Sequence, residues 1–220
     1  MSIESAIIKL RSALPEKVEL VAVSKTKPIS DILQAYKVGQ RIFGENKVQE
    51  MREKQQQLPK DIQWHFIGHL QTNKVKHIAN FVTLIHGVES LKLLQEIDKQ
   101  AKKHNRIIKC LLQIYIAEEE TKFGLSEVEL DEIINSEIFK KLENIKVVGF
   151  MGMATYTELD RQIRKEFLYL KSIFEKYKSL ATSNFEISIL SMGMSGDYQI
   201  AIECGSNMIR IGSNIFGSRF

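Results

Sequence analysis

Proline and cysteine are scarce in this chain. Three prolines, Pro15, Pro28 and Pro59, stand among 220 residues with 12 glycines, so no linker-rich, disordered or collagen-like organisation is indicated. The two cysteines, Cys110 and Cys204, sit among apolar neighbours without metal-ligand spacing. They read as core thiols of a reducing compartment, with a disulfide between them as the other option. The opening stretch MSIESAIIKLRSALPEK contains Glu4 and no continuous apolar run, which is the pattern of neither a signal peptide nor a membrane span, and a cytoplasmic protein is expected. No G-x-G-x-x-G follows the first apolar run and G-x-x-x-x-G-K-[ST] is absent, which weakens a dinucleotide or nucleotide-triphosphate enzyme. An excess of one charge sign is also missing. The 31 basic and 27 acidic side chains leave +4, too little and too dispersed to argue for nucleic acid. The densest basic segment, KQAKKHNRIIK, has no aromatic stacking platform and reads as solvated surface.

What is present is a regular alternation. Apolar residues make up 44% of the chain, enough to close a core. Strand-like runs fall at 20–24, 41–44, 64–67, 81–86, 108–114, 146–150, 186–190 and 208–212. Helix-like segments lie between them at 29–38, 47–57, 72–79, 90–104, 127–136, 159–177 and 198–203, each with apolar residues at spacings of three and four. Short apolar strands separated by covering helices imply parallel pairing through right-handed crossovers. Eight such units favour a closed α/β barrel, (β/α)₈, over an open doubly wound sheet, as a single domain over 1–220. Ile3, Ile7, Leu10 and Leu14 share one face of an additional N-terminal helix.

In such a barrel the carboxyl ends of the strands share one face. Lys25 follows the first strand in VAVSKTKP. Glu45 and Asn46 follow the second in FGENKVQE, and His65, His69 and Asn73 surround the end of the third in WHFIGHLQTNK. Ser191, Gly193 and Ser195 follow the seventh strand, and Gly212 and Ser213 the eighth. Small residues with free N–H groups and hydroxyls after these two strands are what a phosphate pocket requires. A lysine beside such a pocket can pair with the anion or form a Schiff base with an aldehyde. Periodicity does not choose between Lys25 and Lys27, which share a side if extension continues as far as Pro28. Arg210, inside the apolar eighth strand, needs a partner: a buried ion pair with Glu45 or Glu203, or a cofactor ring atom to which it donates. Rival sites are weaker. His65 and His69 stand four apart without the glutamate of a zinc-protease motif, so no metal is expected; Ser195 is in no nucleophile elbow; and Lys122 with Gly124 offers one further rim loop.

AVSKTKP, FGEN, WHFIGHLQTNK, KFG, LSMGMSGD and RIGSNIFGSR, in this order and spacing from about Glu19 to Arg219, closely resemble the YggS/PROSC family of pyridoxal phosphate homeostasis proteins. The resemblance implies the alanine-racemase-like barrel of fold-type III proteins and pyridoxal 5'-phosphate as cofactor. It makes Lys25 the aldimine lysine, gives the phosphate to Ser191 and the backbone around Gly193 with Gly212 and Ser213, faces Arg210 to the pyridine nitrogen, and sets Asn46 and His65 near the ring. Asn207 stands where the family usually has threonine. An arginine at the ring nitrogen disfavours its protonation and makes the ring a poorer carbanion sink. The resemblance therefore implies a non-catalytic, monomeric carrier or buffer of the cofactor, in transient contact with apoenzymes and with neither nucleic acid nor membrane as partner. A weak amino-acid racemase is the alternative, and an interaction protein without ligand the third reading.

Overall fold

The computed structural model describes residues 2–119 and 123–217; Lys122 and Arg219 lie outside them. Eight strands form the barrel: β1 (Glu19–Val23), β2 (Ile42–Glu45), β3 (Gln63–Phe66), β4 (Leu84–Val88), β5 (Ile108–Gln113), β6 (Ile145–Met151), β8 (Phe185–Ser191) and β9 (Met208–Ile211). Each pairs in parallel with the next, β9 returns to β1, and the pairing of β6 with β8 completes the ring. The short β7 (Ala181–Thr182) adds antiparallel to β8 outside this ring.

Helices cover the outside. They are α2 (Ile29–Lys37), α3 (Val48–Gln57), α4 (Leu91–Lys103), α5 (Glu127–Asn135), α6 (Glu137–Lys140), α7 (Asp160–Tyr177), α8 (Tyr198–Glu203) and α9 (Ser213–Phe216), with a 3₁₀ segment over Thr72–His77. The additional α1 (Ile3–Ala13) is capped by Ser2, whose hydroxyl accepts the Ser5 N–H at 3.2 Å, and it buries Ala6, Ile7 and Leu10. The chain is thus an eight-stranded parallel barrel with a helical coat and an extra N-terminal helix. None of the described helices is long and apolar enough to cross a membrane.

Alternation along the strands divides the apolar side chains into two cores. Leu20, Ala22, Phe43, Trp64, Phe66, Ile85, Leu112, Ile209 and Ile211 face the helices in one large cluster. Val21, Leu84, Leu111, Val148, Met151 and Met208 form a smaller cluster inside the barrel. On β4 and β9 the inward residue at the amino end is apolar, Leu84 and Met208, and the next inward residue is polar, His86 and Arg210.

Several boundaries differ from the sequence expectation. The fourth strand begins at Leu84 rather than 81, because the Phe81 and Val82 N–H groups both donate to Ile78 O and close the preceding turn. The segment expected as helix over 72–79 is wound as 3₁₀. The four-residue α6 and α9 and the two-residue β7 are too short to show periodicity and were not expected. Cys110 and Cys204 are free and buried, so the disulfide option does not hold, and burial pushes the Cys110 thiol up.

Closure depends on a close backbone approach between β6 and β8. A Cβ on Gly149 would lie 1.8 Å from Ile189 O, where no side chain can fit. Gly149→Ala is expected to lose more than about 4 kcal/mol or fail to fold, because relief requires separating two barrel strands. Urea unfolding followed by circular dichroism measures it, and near-wild-type stability would show that the seam can open.

Candidate functional site

The residues singled out lie just beyond the strand ends. Lys25 is half-buried in the turn two residues after Val23, the end of β1, and Asn46 is half-buried directly after Glu45, the end of β2. His65 pairs in register with Gly44, and Arg210 with Val21. Asn46 is crowded by the turn after β3, where a Cβ on Gly68 would lie 2.5 Å from Asn46 O. Lys27 takes a different course. Its Nζ donates to Phe216 O at 2.9 Å, at the end of α9.

A hydrogen-bonded chain crosses the barrel interior beneath the mouth. Arg210 Nη1 donates to Ser191 Oγ at 2.7 Å and Nη2 to Gly152 O at 3.1 Å. Ser191 Oγ lies 3.2 Å from His86 Nδ1, and His86 Nε2 lies 3.1 Å from His65 Nδ1. All four side chains are buried, Arg210 at 4% exposure and His65 at 3%. Burial, with some help from the Lys109 charge, pushes His65 down to about 3. Burial, then His65 and Arg210, holds His86 well below the ordinary histidine range. Both rings are therefore neutral near pH 7, and each shared proton has one donor and one acceptor. Burial brings Arg210 down to about 10, opposed by Asp197, which leaves it charged at neutral pH.

Arg210 pairs with neither carboxylate considered for it. Glu45 faces the helical layer and binds Lys54 at 2.7 Å, while Glu203 pairs with Arg164 on the surface. The guanidinium has no ion pair among the described residues and donates only to neutral oxygens. It remains matched to a neutral, electron-rich acceptor.

The two glycine loops meet beside this chain. Gly193, at φ 99°, accepts the Arg210 N–H at 2.9 Å through its carbonyl, and a Cβ there would lie 2.7 Å from Ala201 Cβ, so a side chain is excluded by both conformation and space. Gly212 N donates to Ser195 Oγ at 3.3 Å, and Asn214 Nδ2 to Ser195 O at 3.2 Å. Gly212 and Ser195 are half-buried and Ser213 is exposed. The structure thus places Ser191 under the guanidinium and Ser195 between the loops.

Ser195 was among the small residues expected to form a phosphate pocket, although the resemblance gave it no role, and it lies four residues after Ser191, the last residue of β8. His86 was missed as well. Its signal was available: it lies two residues beyond Leu84, on the inward side of a strand neighbouring His65. His69 is not part of the interior; it is exposed in the segment after β3, with its Nδ1 2.8 Å from Glu89 Oε1 just beyond β4. Asn207 is not at the mouth either. It splices β8 to β9, accepting the Leu190 N–H at 2.8 Å and donating to Ser188 O at 2.7 Å.

A barrel with a lysine at the first strand end, a buried arginine on the last strand and paired glycine loops defines a phosphate-cofactor protein of the alanine racemase type. The family described as alanine racemase, N-terminal domain, matches residues 2–219. The pyridoxal phosphate homeostasis protein of Aquifex aeolicus is 39% identical over 202 residues, 91% of this chain and 87% of that protein. That of Escherichia coli is 37% identical over 210 residues, 93% and 87%. PipY of Synechococcus elongatus, solved with PLP bound, superposes with a TM-score of 0.88 at 33% identity, over 98% of this chain and 100% of that one. An alanine racemase of Clostridium difficile shares the fold at TM-score 0.79 and 16% identity, and this chain spans 57% of its length. The chain belongs to the YggS/PROSC family of pyridoxal phosphate homeostasis proteins.

The side chains present fit that cofactor: an amine for an aldehyde, a guanidinium with no ion pair among the described residues for a ring nitrogen, and glycine loops for a phosphate. The neutral histidine pair has a measurable consequence. Their folded pKa values are depressed, so their contribution to stability is complete above about pH 6.5 and is lost as pH falls toward the folded values. Between pH 6 and 5 unfolding takes up about 1.5 to 1.9 protons at these two sites, a slope averaging about 2.4 kcal/mol per pH unit. Urea titrations across that interval measure it, and His65→Gln should reduce the slope by about half. An unchanged slope in that variant would show that His65 already carries a proton in the fold.

Proposed function

We propose that this protein is a non-catalytic carrier of pyridoxal 5'-phosphate that buffers the cofactor and thereby influences vitamin B6 and amino-acid metabolism. The observation that carries the reading is the coincidence, at one barrel end, of Lys25, the buried Arg210 and the Gly193 and Gly212 loops, in a chain whose curated relatives are pyridoxal phosphate homeostasis proteins. The whole chain is read as a single cofactor-binding domain, a cytoplasmic monomer that meets apoenzymes transiently.

The cofactor supplies an aldehyde that condenses with an amine and a ring that can withdraw electrons. Lys25 is the amine that holds it. Its place directly after β1, the strand paired with β9 and its Gly212 loop, supports this assignment, as does the engagement of Lys27 with Phe216 O at 2.9 Å. Gly193, Gly212 and Ser213, with Ser195, bind the phosphate. Ser191, expected to hold the phosphate, is fully buried and serves Arg210 instead, whose guanidinium its hydroxyl orients at 2.7 Å. Arg210 would donate toward the ring nitrogen and disfavour its protonation, which would weaken the electron sink. Asn46 and His65 bound the pocket near the ring.

An amino-acid racemase needs an acid or base on each face of the substrate carbon. The two described histidines in the barrel are buried beneath the mouth and held neutral, so neither exchanges protons readily near pH 7. This favours a carrier over a racemase.

Titration with pyridoxal phosphate, followed by the visible band of lysine-bound cofactor, is expected to saturate in wild-type protein and in Lys27→Ala and to fail in Lys25→Ala. Borohydride reduction and peptide mapping should find the label on Lys25; label on Lys27 would redraw the pocket. Amino-acid α-proton exchange in deuterated water should not exceed that of free cofactor. Faster exchange, abolished in Lys25→Ala, would establish the enzyme instead.

A further inference from the structure

Lys25 stands in a turn that its own sequence disfavours. The Lys27 N–H donates to Ser24 O at 3.0 Å, and between them Thr26 has φ 67°. β-Branched residues rarely enter this left-handed region, and they stay there only when their surroundings over-determine it. The surroundings here are charged groups on the helical side of the barrel wall.

Glu50, in the first turn of α3, accepts the Thr26 N–H on Oε1 at 2.5 Å. Lys54, one helical turn later, donates to Glu50 Oε1, Glu45 Oε1 and Ser24 O, each at 2.7 Å. Ser24 Oγ donates to the same Glu45 oxygen at 2.6 Å. Lys54 is 6% exposed and Glu45 fully buried. A buried ammonium is tolerated when each proton has an acceptor, and these three oxygens supply them.

The groups held by this network are the two peptide units that flank the Lys25 Cα. The carbonyl before it, from Ser24, ends on Lys54, and the amide after it, from Thr26, ends on Glu50. Fixing both peptide planes fixes the direction in which the Lys25 Cβ leaves the chain. Ser24 and Glu45 reach Lys54 on the outside of the barrel, so their influence on the mouth runs through the Lys25 backbone.

We propose that Lys54, acting through Glu50 and Glu45, is a positioning residue that aims Lys25 into the barrel mouth. This rests on the reading of Lys25 as the cofactor lysine.

The test compares Lys54→Met, Glu50→Ala and Glu50→Gln in the full chain. Glu50→Ala removes the Thr26 contact and leaves the buried Lys54–Glu45 pair in place, so it decides the matter if Lys54→Met does not fold. Two quantities are read: hydrogen exchange of the Thr26 amide without added cofactor, and affinity for pyridoxal phosphate. In Lys54→Met and Glu50→Ala we expect at least about tenfold faster exchange and about tenfold weaker binding, whereas Glu50→Gln, which keeps an acceptor, should stay near wild type. Adding Thr26→Asn, a residue that tolerates the left-handed region, should restore much of the affinity lost in Lys54→Met. Folded variants with wild-type exchange, or with faster exchange and unchanged affinity, would overturn the positioning role. Wild-type protein that takes no borohydride label at Lys25 would overturn the cofactor reading instead, before any variant is made.

Discussion

Everything at the mouth depends on the closure of eight parallel strands, because only a closed ring turns a period of two into an inside and an outside. The seam between β6 and β8 is possible because Gly149 lets Ile189 O come closer than any side chain would allow. Once the ring is shut, residues from opposite ends of the chain become neighbours. Val21 pairs with Arg210 in register, and Lys25 and Gly212, separated by nearly the whole sequence, follow from those two adjacent strands.

The inside of that ring is electrostatically uneven. Its lower part is sealed by Val21, Leu84, Leu111 and Met208. Above them lies a chain of neutral groups, His65, His86 and Ser191, that ends on a permanent cation. Burial explains both halves of this arrangement. It removes the proton from the histidines, which can give it up, and cannot remove it from Arg210, which donates to oxygens instead. The result is a rigid donor with little capacity for proton transfer around it, an arrangement suited to holding an electron-rich ring.

Much of this was legible in the sequence. The strand and helix alternation showed a barrel because parallel strands covered on both sides are nearly continuous apolar runs. The terminal glycine loops were visible as small-residue clusters. Where the reading failed, the cause was local. The fourth strand was extended into Phe81 and Val82, whose apolar side chains fit a turn as well as a strand. Glu45 and Glu203 were plausible partners for Arg210 by charge alone, and three-dimensional placement gave each a different cation. His86 was overlooked because, within an apolar run, a single histidine looks like a strand residue until its neighbour across the sheet is known.

By itself the sequence determined which residues alternate, where glycines permit tight approach, and which motifs appear in which order. These are properties of neighbours along the chain, and the family resemblance added the residues at which chemistry was to be sought. Only the tertiary structure decided that Lys27 is drawn to Phe216 O, that Ser191 lies beneath Arg210 while Ser195 meets Gly212, and that Lys54 and Glu50 hold the two peptides around Lys25. Each of these depends on a long-range contact made by closing the barrel and covering it with helices. No local pattern encodes which polar atom will be left for another to satisfy.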